Sequence, residues 1–206
     1  MQNAMVSGAR SSSLPLEWLV PLADRVGALA RSSGRAFVEG NARLAASLLA
    51  VGGEHSQIDS ALDGAWSEVL GAPRRNAIGA EVGLITSLHT IADLAARICA
   101  EVIQLSDRPP VRTQPAIHRL AELVPELLGD ALWALRENDG SSADRVLQQG
   151  PTVDACFAQT YLDLLDVAGR VGGFDTAQRL HAVSSAFERI GDGASDIANS
   201  VRAALS

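Results

Sequence analysis

The spacing of apolar residues near the C-terminus is the feature that most constrains the fold. Between Leu180 and Leu205, apolar residues recur at alternating steps of three and four. On a helix this spacing places them in one narrow stripe, as in the seam of a helical bundle. The stripe consists of Leu180, Val183, Phe187, Ile190, Ala194, Ile197, Val201 and Ala204. The segment is therefore predicted to be a long helix packed against other helices.

The same spacing extends through most of the chain. Aromatic residues make up only 4% of the sequence, so alanine and leucine fill most apolar positions, which favours helix over strand. Two stretches, Ser56–Asp59 and Asp175–Gln178, have the form of capping boxes that begin helices. No stretch alternates polar with apolar residues strongly enough to predict a strand. Helices are expected at about 21–40, 42–50, 56–70, 75–105, 115–135, 141–150, 151–171 and 175–205.

Landmarks in the first half recur in the second half at a nearly constant offset. Asp139 follows Asn41 by 98 residues, Val153-Asp154 follows Ile58-Asp59 by 95, and Ile190-Gly191-Asp192 follows Ile91-Ala92-Asp93 by 99. Such self-similarity indicates an internal duplication. The predicted fold is all-α, with two tandem antiparallel three-helix bundles. The predicted organisation is a disordered tail (1–13), a first repeat (14–106), a linker (107–114) and a second repeat (115–206).

Three carboxylates follow one another along the last helix at steps of four residues. Glu188, Asp192 and Asp196 therefore stand on a single face, beside the apolar stripe. Like charges at this spacing repel each other by about 0.2–0.5 kcal/mol per pair in an isolated helix. The face is either solvated or occupied by a cation.

The segment Phe187–Asp192, followed by Ala194, Ile197 and Ala198, resembles the signature of the PhoU family. The resemblance implies a protein that regulates phosphate uptake and the phosphate-starvation response. It further implies an adaptor between the ATPase subunit of the phosphate ABC transporter and a sensor histidine kinase. The sequence departs from the family pattern at Ser185, where arginine is usual, at Gly193, where histidine is usual, and at Asp196, where asparagine is common.

The resemblance also implies a metal site, since several PhoU-like proteins bind metal clusters through acidic residues four apart on this helix. Glu188 and Asp192 match that motif, and Asp196 is a third candidate ligand on the same helix face. Hard oxygen ligands suit Mg²⁺, Mn²⁺, iron or Zn²⁺. Asp154 on the preceding helix is the leading candidate for a further ligand. In the first repeat, Asp93 is a weaker candidate because His89 stands at the glutamate position. We therefore expect the second repeat to bind metal better than the first.

Simpler explanations exist for three of the neighbouring residues. Asp59 is accounted for as the acidic residue of a capping box, and Asp154 as an acid stabilised near a helix N-terminus. His89 lies near an apolar seam, where a structural role is the more common one.

Composition and missing motifs exclude several classes of protein. The formal net charge of −7 and the absence of a basic block argue against nucleic-acid binding. No apolar run approaches the roughly 18 residues that span a bilayer, and the N-terminus does not resemble a secretory signal, so a cytoplasmic location is expected. No catalytic motif is present, including the Glu-x-x-His spacing of di-iron bundles, so an enzyme is not predicted.

Two other functions remain open from the sequence alone. One is a metal-dependent helical-bundle enzyme or a metal-binding protein. The other is a PhoU-like paralogue that serves another transporter, which the divergent first repeat allows. Whether the chain forms a homodimer is also open.

Overall fold

The described residues of the computed structural model, 18–71, 78–106 and 115–205, form helices joined by short turns. None of them belongs to a strand, so the all-α prediction is confirmed. The described part of the chain contains seven helices: α1 (Val20–Val38), α2 (Ala42–Leu49), α3 (Glu54–Gly71), α4 (Ile78–Ser106), α5 (Pro115–Glu137), α6 (Gly140–Ala168) and α7 (Gly173–Leu205).

The helices form two bundles in tandem, as the duplication predicted. In the first, α1 and α4 pack together with an arm made of α2 and α3. In the second, α5, α6 and α7 pack pairwise against one another. The bundles join where α1 contacts α5 and where α4 contacts α7. The predicted tail and the predicted linker lie outside the described residues, so the exact repeat boundaries stay a prediction.

Apolar residues that the spacing placed in seams form one continuous core across both bundles. Phe187, Ile190 and Ile91 are all essentially inaccessible to solvent. Where the bundles meet, two glycines of α1 allow close contact with α5. A Cβ at Gly34 would lie 2.9 Å from the carbonyl oxygen of Ala121, and one at Gly27 would meet Leu132 at 2.7 Å.

The start of α3 differs from the prediction. The helix begins at Glu54, so Ser56 lies inside the first turn and does not act as an N-cap. Glu54 accepts a hydrogen bond of 2.9 Å from Arg25 of α1, and a carboxylate in the first turn is favoured by the helix dipole. The capping-box interpretation of Asp59 is therefore wrong.

The predicted break between a short helix and a second helix at Gly150-Pro151 is also wrong. Helix α6 runs without interruption from Gly140 to Ala168, with Pro151 in its interior. Val146 and Val153, on either side of the proline, are both buried in the same seam. This packing holds the helix together although Pro151 cannot donate a backbone hydrogen bond.

Helix α6 begins at Gly140, one residue before the predicted start, and its N-cap is Asp139. The Asp139 carboxylate accepts hydrogen bonds from the Ser141 backbone N–H at 2.9 Å and from the Ser142 hydroxyl at 2.6 Å. Hydrogen bonds from Ser142 and Ser141 lower the pKa of Asp139 to about 2. These bonds favour the charged carboxylate, as expected for an N-cap.

One helix of the described chain, at Gly79–Ser106, is long and apolar enough to cross a membrane by length and composition. Half of its most apolar window is buried inside the protein, where α4 packs against α1, α2, α3 and α7. The apolar residues of α4 are thus used as core residues of the bundles.

Candidate metal centre

Helices α3 and α4 bring two carboxylates and an imidazole together in the first repeat. The His89 Nε2 atom lies 3.3 Å from an oxygen of Asp59, and the His89 Nδ1 atom lies 3.3 Å from an oxygen of Asp93. One potential ligand atom from each of the three residues lies within 4.8 Å of the other two. Asp93 and His89 are one turn apart on α4, and Asp59 reaches them from α3.

A second imidazole, that of His55 at the start of α3, lies beside these three residues. The Nε2 atom of His55 lies 3.6 Å from the other carboxylate oxygen of Asp93. This nitrogen is buried and has no hydrogen-bond partner among the described residues. A buried polar atom without a partner costs about 1–3 kcal/mol, unless a proton shared with Asp93 or a ligand satisfies it.

The packing of α3 on α4 fixes this geometry. Ile58 and Leu62 of α3, and Leu88 and Ile91 of α4, are all fully buried. Ile58 precedes Asp59 directly, and Leu88 precedes His89. Each buried side chain therefore orients its polar neighbour, because residues adjacent on a helix point about 100° apart.

The second repeat carries a carboxylate cluster at the equivalent positions. Asp154, Glu188 and Asp192 correspond, at the offsets of the duplication, to Asp59, His89 and Asp93. Burial raises the pKa of Glu188, and the charges of Asp192 and Asp154 raise it further. Burial also raises the pKa of Asp192, followed by the charges of Asp154 and Asp196.

Burial is the largest cause of both pKa shifts, and the charges of the neighbouring carboxylates add to it, so the acidic side chains of this cluster repel one another. Arg189 lowers both pKa values but does not outweigh the repulsion. No ion pair joins Asp154, Glu188, Asp192 or Asp196 to an arginine or histidine of the described chain. The second cluster is thus an acidic ridge on α6 and α7 that Arg189 compensates only in part.

The donor atoms of the first cluster fit a transition metal. Zinc binds imidazole nitrogen and carboxylate oxygen at about 2.0–2.2 Å, which separates the ligands of a tetrahedral site by about 3.3 Å. The Nε2 atom of His89 and the carboxylate of Asp59 already lie at that separation. Two imidazoles with two carboxylates suit Zn²⁺, Fe²⁺ or Mn²⁺ better than Mg²⁺, which prefers oxygen ligands.

The second cluster offers oxygen ligands alone. Such a set suits Mg²⁺ or Mn²⁺, and binding would relieve the repulsion between the carboxylates. The sequence predicted that the second repeat binds metal better. The geometry instead favours the first repeat, because the ligand atoms of Asp59, His89 and Asp93 lie close together there. Relative affinity itself stays a prediction.

Sequence reasoning undervalued two residues of the first cluster. Asp59 could have been found from the duplication, since it stands where Asp154 stands in the second repeat. His55 gives no such signal, because the equivalent residue at the same offset is Gly150. Only the packing of α3 against α4 places His55 beside Asp93.

Comparison with known proteins gives the decisive observation. The sequence model of the PhoU domain matches residues 117–201, which include Asp154, Glu188, Asp192 and Asp196. The resemblance to the PhoU family is confirmed. Residues 117–201 are similar to the PhoU domain, and the cluster of His55, Asp59, His89 and Asp93 lies outside the matched region.

A curated relative is similar to part of the chain. It is the phosphate-specific transport system accessory protein PhoU homolog of Aquifex aeolicus (strain VF5), 26% identical over 82 residues. The alignment covers 40% of this chain and 37% of the relative, so it spans little more than a third of that protein.

Two solved structures show that the PhoU fold extends well beyond the matched domain. The crystal structure of PhoU from Pseudomonas aeruginosa superimposes with a TM-score of 0.79 at 20% identity, covering 91% of this chain and 93% of that one. The phosphate transport system regulatory protein PhoU from Streptococcus pneumoniae gives a TM-score of 0.72 at 16% identity, covering 90% of each chain. At these identities the likeness shows the fold alone, and that fold includes both bundles.

Proposed function

We propose that this chain is a regulator of phosphate transport and of the phosphate-starvation response. The observation that carries the proposal is the PhoU domain at residues 117–201. The likeness of nearly the whole chain to PhoU structures supports it, because both halves keep the fold. The regulator acts in the cytoplasm and through protein contacts, without catalysis of its own.

The finer part of the proposal concerns partners. The chain links the ATPase subunit of a phosphate ABC transporter to a sensor histidine kinase, and it holds the starvation response off when phosphate is plentiful. Its two bundles offer separate faces to two proteins.

A deletion strain tests the regulatory role. The expected result is that a phosphate-regulon reporter becomes active in high phosphate, and that the wild-type chain restores repression. An unchanged reporter, together with no binding of purified chain to either the ATPase subunit or the cytoplasmic part of the kinase, contradicts the proposal. A deletion that instead changes the uptake of another solute supports a paralogue that serves another transporter.

The metal-binding part of the proposal rests on the first repeat. His55, Asp59, His89 and Asp93 would hold a transition metal that ties α3 to α4 and stabilises the arm of the first bundle. Because binding to the folded state alone stabilises it, a saturating metal raises the melting temperature. The acidic ridge of the second repeat would hold a harder cation.

Metal content of purified chain separates the two sites. After exposure to Zn²⁺ and removal of excess, we expect about one tightly bound ion, lost in His89→Ala and weakened in His55→Ala. The matched control His181→Ala, an exposed histidine of α7, should keep it. An unchanged metal content in His89→Ala would show that the first cluster does not bind.

The same cluster supports one alternative function. A site with two imidazoles and two carboxylates is also the donor set of a metal-dependent enzyme or a metal store. Stoichiometric metal together with turnover of a phosphoester or an oxidisable substrate, lost in His89→Ala, would favour the enzyme over the regulator.

A further inference from the structure

The α6–α7 hairpin carries an unusual concentration of exposed apolar side chains. Of the ten large apolar side chains exposed in the described chain, five fall within residues 161–174. They are Tyr161, Leu162, Leu165, Val171 and Phe174. Exposed apolar residues scattered singly need no explanation, but a contiguous group marks a contact surface.

Three of these residues lie in two neighbouring rows. On α6, Phe157, Tyr161 and Leu165 follow one another at steps of four, and on α7, Phe174 and His181 are seven apart. The rings of Tyr161 and His181 are 5.7 Å apart and those of Phe157 and His181 are 6.4 Å apart, so the rows face each other across the groove between the helices.

The acidic ridge continues the same rows towards the other end of the hairpin. Asp154 lies seven residues before Tyr161 on α6, and Glu188 lies seven residues after His181 on α7. Residues seven apart share one face of a helix. The groove therefore has an apolar half at the hairpin end and an acidic half towards Asp154, Glu188 and Asp192.

We infer that this groove docks a basic amphipathic helix of a partner protein. The inference rests on the proposed adaptor function and assigns the surface that serves it. Apolar side chains of the partner would pack on Tyr161, Leu165 and Phe174, while its arginines or lysines pair with Asp154, Glu188 and Asp192. An amphipathic helix in a groove is a common mode of recognition, and aromatic anchors beside a charged rim are typical of it.

Charge complementarity selects this occupant over the alternatives. Arg189 acts on Glu188 and Asp192 less strongly than the neighbouring carboxylates do, so the ridge keeps a net negative charge that a basic segment would offset. A second copy of the chain in a twofold dimer would present the same apolar and acidic groove to the ridge, and no basic segment. An anionic membrane surface would be repelled by the same negative charge.

The first arm of the test uses a defined probe. The probe is a labelled 18-residue synthetic helix of leucine, alanine and arginine with all arginines on one face, beside a matched peptide with glutamate in place of arginine. Binding is measured by fluorescence anisotropy in buffer with EDTA, so that no metal occupies the carboxylates. The wild-type chain should bind the arginine peptide and not the glutamate peptide.

Variants locate the binding. The double variant Leu165→Ser/Phe174→Ser should weaken binding of the arginine peptide at least tenfold, since these side chains are 69% and 66% exposed and contribute little to the core. The control Leu70→Ser removes a side chain of α3 that is 73% exposed and should change affinity less than twofold. Circular dichroism and melting temperature confirm that each variant is folded.

Three results would overturn the inference. They are no binding of the arginine peptide to the wild-type chain, equal binding by the double variant, and equal binding of the glutamate peptide. Self-association or vesicle binding that the double variant abolishes, without peptide binding, would assign the groove to a second copy or to a membrane instead.

The second arm separates the groove from the adaptor function. Purified transporter ATPase subunit and the cytoplasmic part of the kinase are tested against the wild-type chain and both variants. If the wild-type chain binds neither protein, the adaptor function is contradicted. The peptide experiment still tests whether the groove binds a basic helix. If it binds one of them and the double variant binds equally well, the adaptor function stands and the inference about the groove fails.

Discussion

At the scale of single residues, the acidic ridge lowers the free energy of unfolding when no cation is bound to it. Burial and neighbouring carboxylates raise the pKa values of Glu188 and Asp192. Between the unfolded and the raised folded pKa values, the native state binds more protons than the unfolded chain. The free energy of unfolding therefore falls as the pH rises through that window, and the ionised pair destabilises the protein at neutral pH.

Replacing these carboxylates with neutral amides should remove the destabilisation. In EDTA at pH 7.5, Glu188→Gln and Asp192→Asn are expected to raise the melting temperature, and the gain should shrink at pH 4, where protonation already relieves the repulsion. Glu126→Gln, an exposed carboxylate of α5, controls for the general loss of a negative charge. Differential scanning fluorimetry at the two pH values measures the effect, and a lower melting temperature for both variants at pH 7.5 would contradict it.

At the scale of elements, the contact between α1 and α5 depends on the absence of a side chain. A Cβ at Gly34 would meet the backbone carbonyl of Ala121, which cannot rotate away. Overpacking of a close contact costs about 1–3 kcal/mol, whereas glycine to alanine inside a helix gains about 1 kcal/mol. Sterics therefore outweigh helix propensity at this position.

Two glycine substitutions should consequently have opposite signs. Gly34→Ala is expected to lower the free energy of unfolding, by up to about 2 kcal/mol. Gly64→Ala, on an open face of α3 with nothing within 4 Å of the new Cβ, should raise it by about 0.5–1 kcal/mol. Chemical denaturation measures both, and a stabilising Gly34→Ala would show that α1 and α5 can separate at little cost.

At the scale of the whole molecule, the two bundles are joined by core contacts and by an ion pair between α4 and α7. The Arg179 guanidinium donates a hydrogen bond of 3.0 Å to Glu101, and both side chains are largely buried. The Arg179 Nε atom also lies 3.6 Å from Asp175 on its own helix. This pair bridges the two repeats.

A double-mutant cycle measures that bridge. With Glu101→Gln, Arg179→Gln and the double variant, we expect a coupling energy of about 0.5–1 kcal/mol at low salt, decreasing as salt is added. The control is the exposed ion pair of Asp166, in the last turn of α6, with Arg170, just after that helix. This pair should have a smaller coupling energy. A coupling energy of zero for Arg179 with Glu101 would mean that the bundles are held together by apolar contacts alone.

Much of the fold could be predicted because apolar spacing is a local property. The buried stripes of α1, α4, α5 and α7 could be predicted from apolar residues at steps of three and four. The duplication indicated that the two halves have the same order of helices. The false break at Gly150-Pro151 arose from giving a proline more weight than the seam. Val146 and Val153 are seven residues apart, and that spacing already indicated one continuous helix.

One part of the candidate site could be predicted from the sequence, and the other part could not. The sequence by itself determined the acidic ridge of Glu188, Asp192 and Asp196, because residues four apart on a helix must share a face. Only the tertiary structure decided that His55 and Asp59 meet His89 and Asp93. Those residues lie on two different helices, and the rotation of α3 about its axis against α4 depends on how Ile58, Leu62, Leu88 and Ile91 interlock in the core.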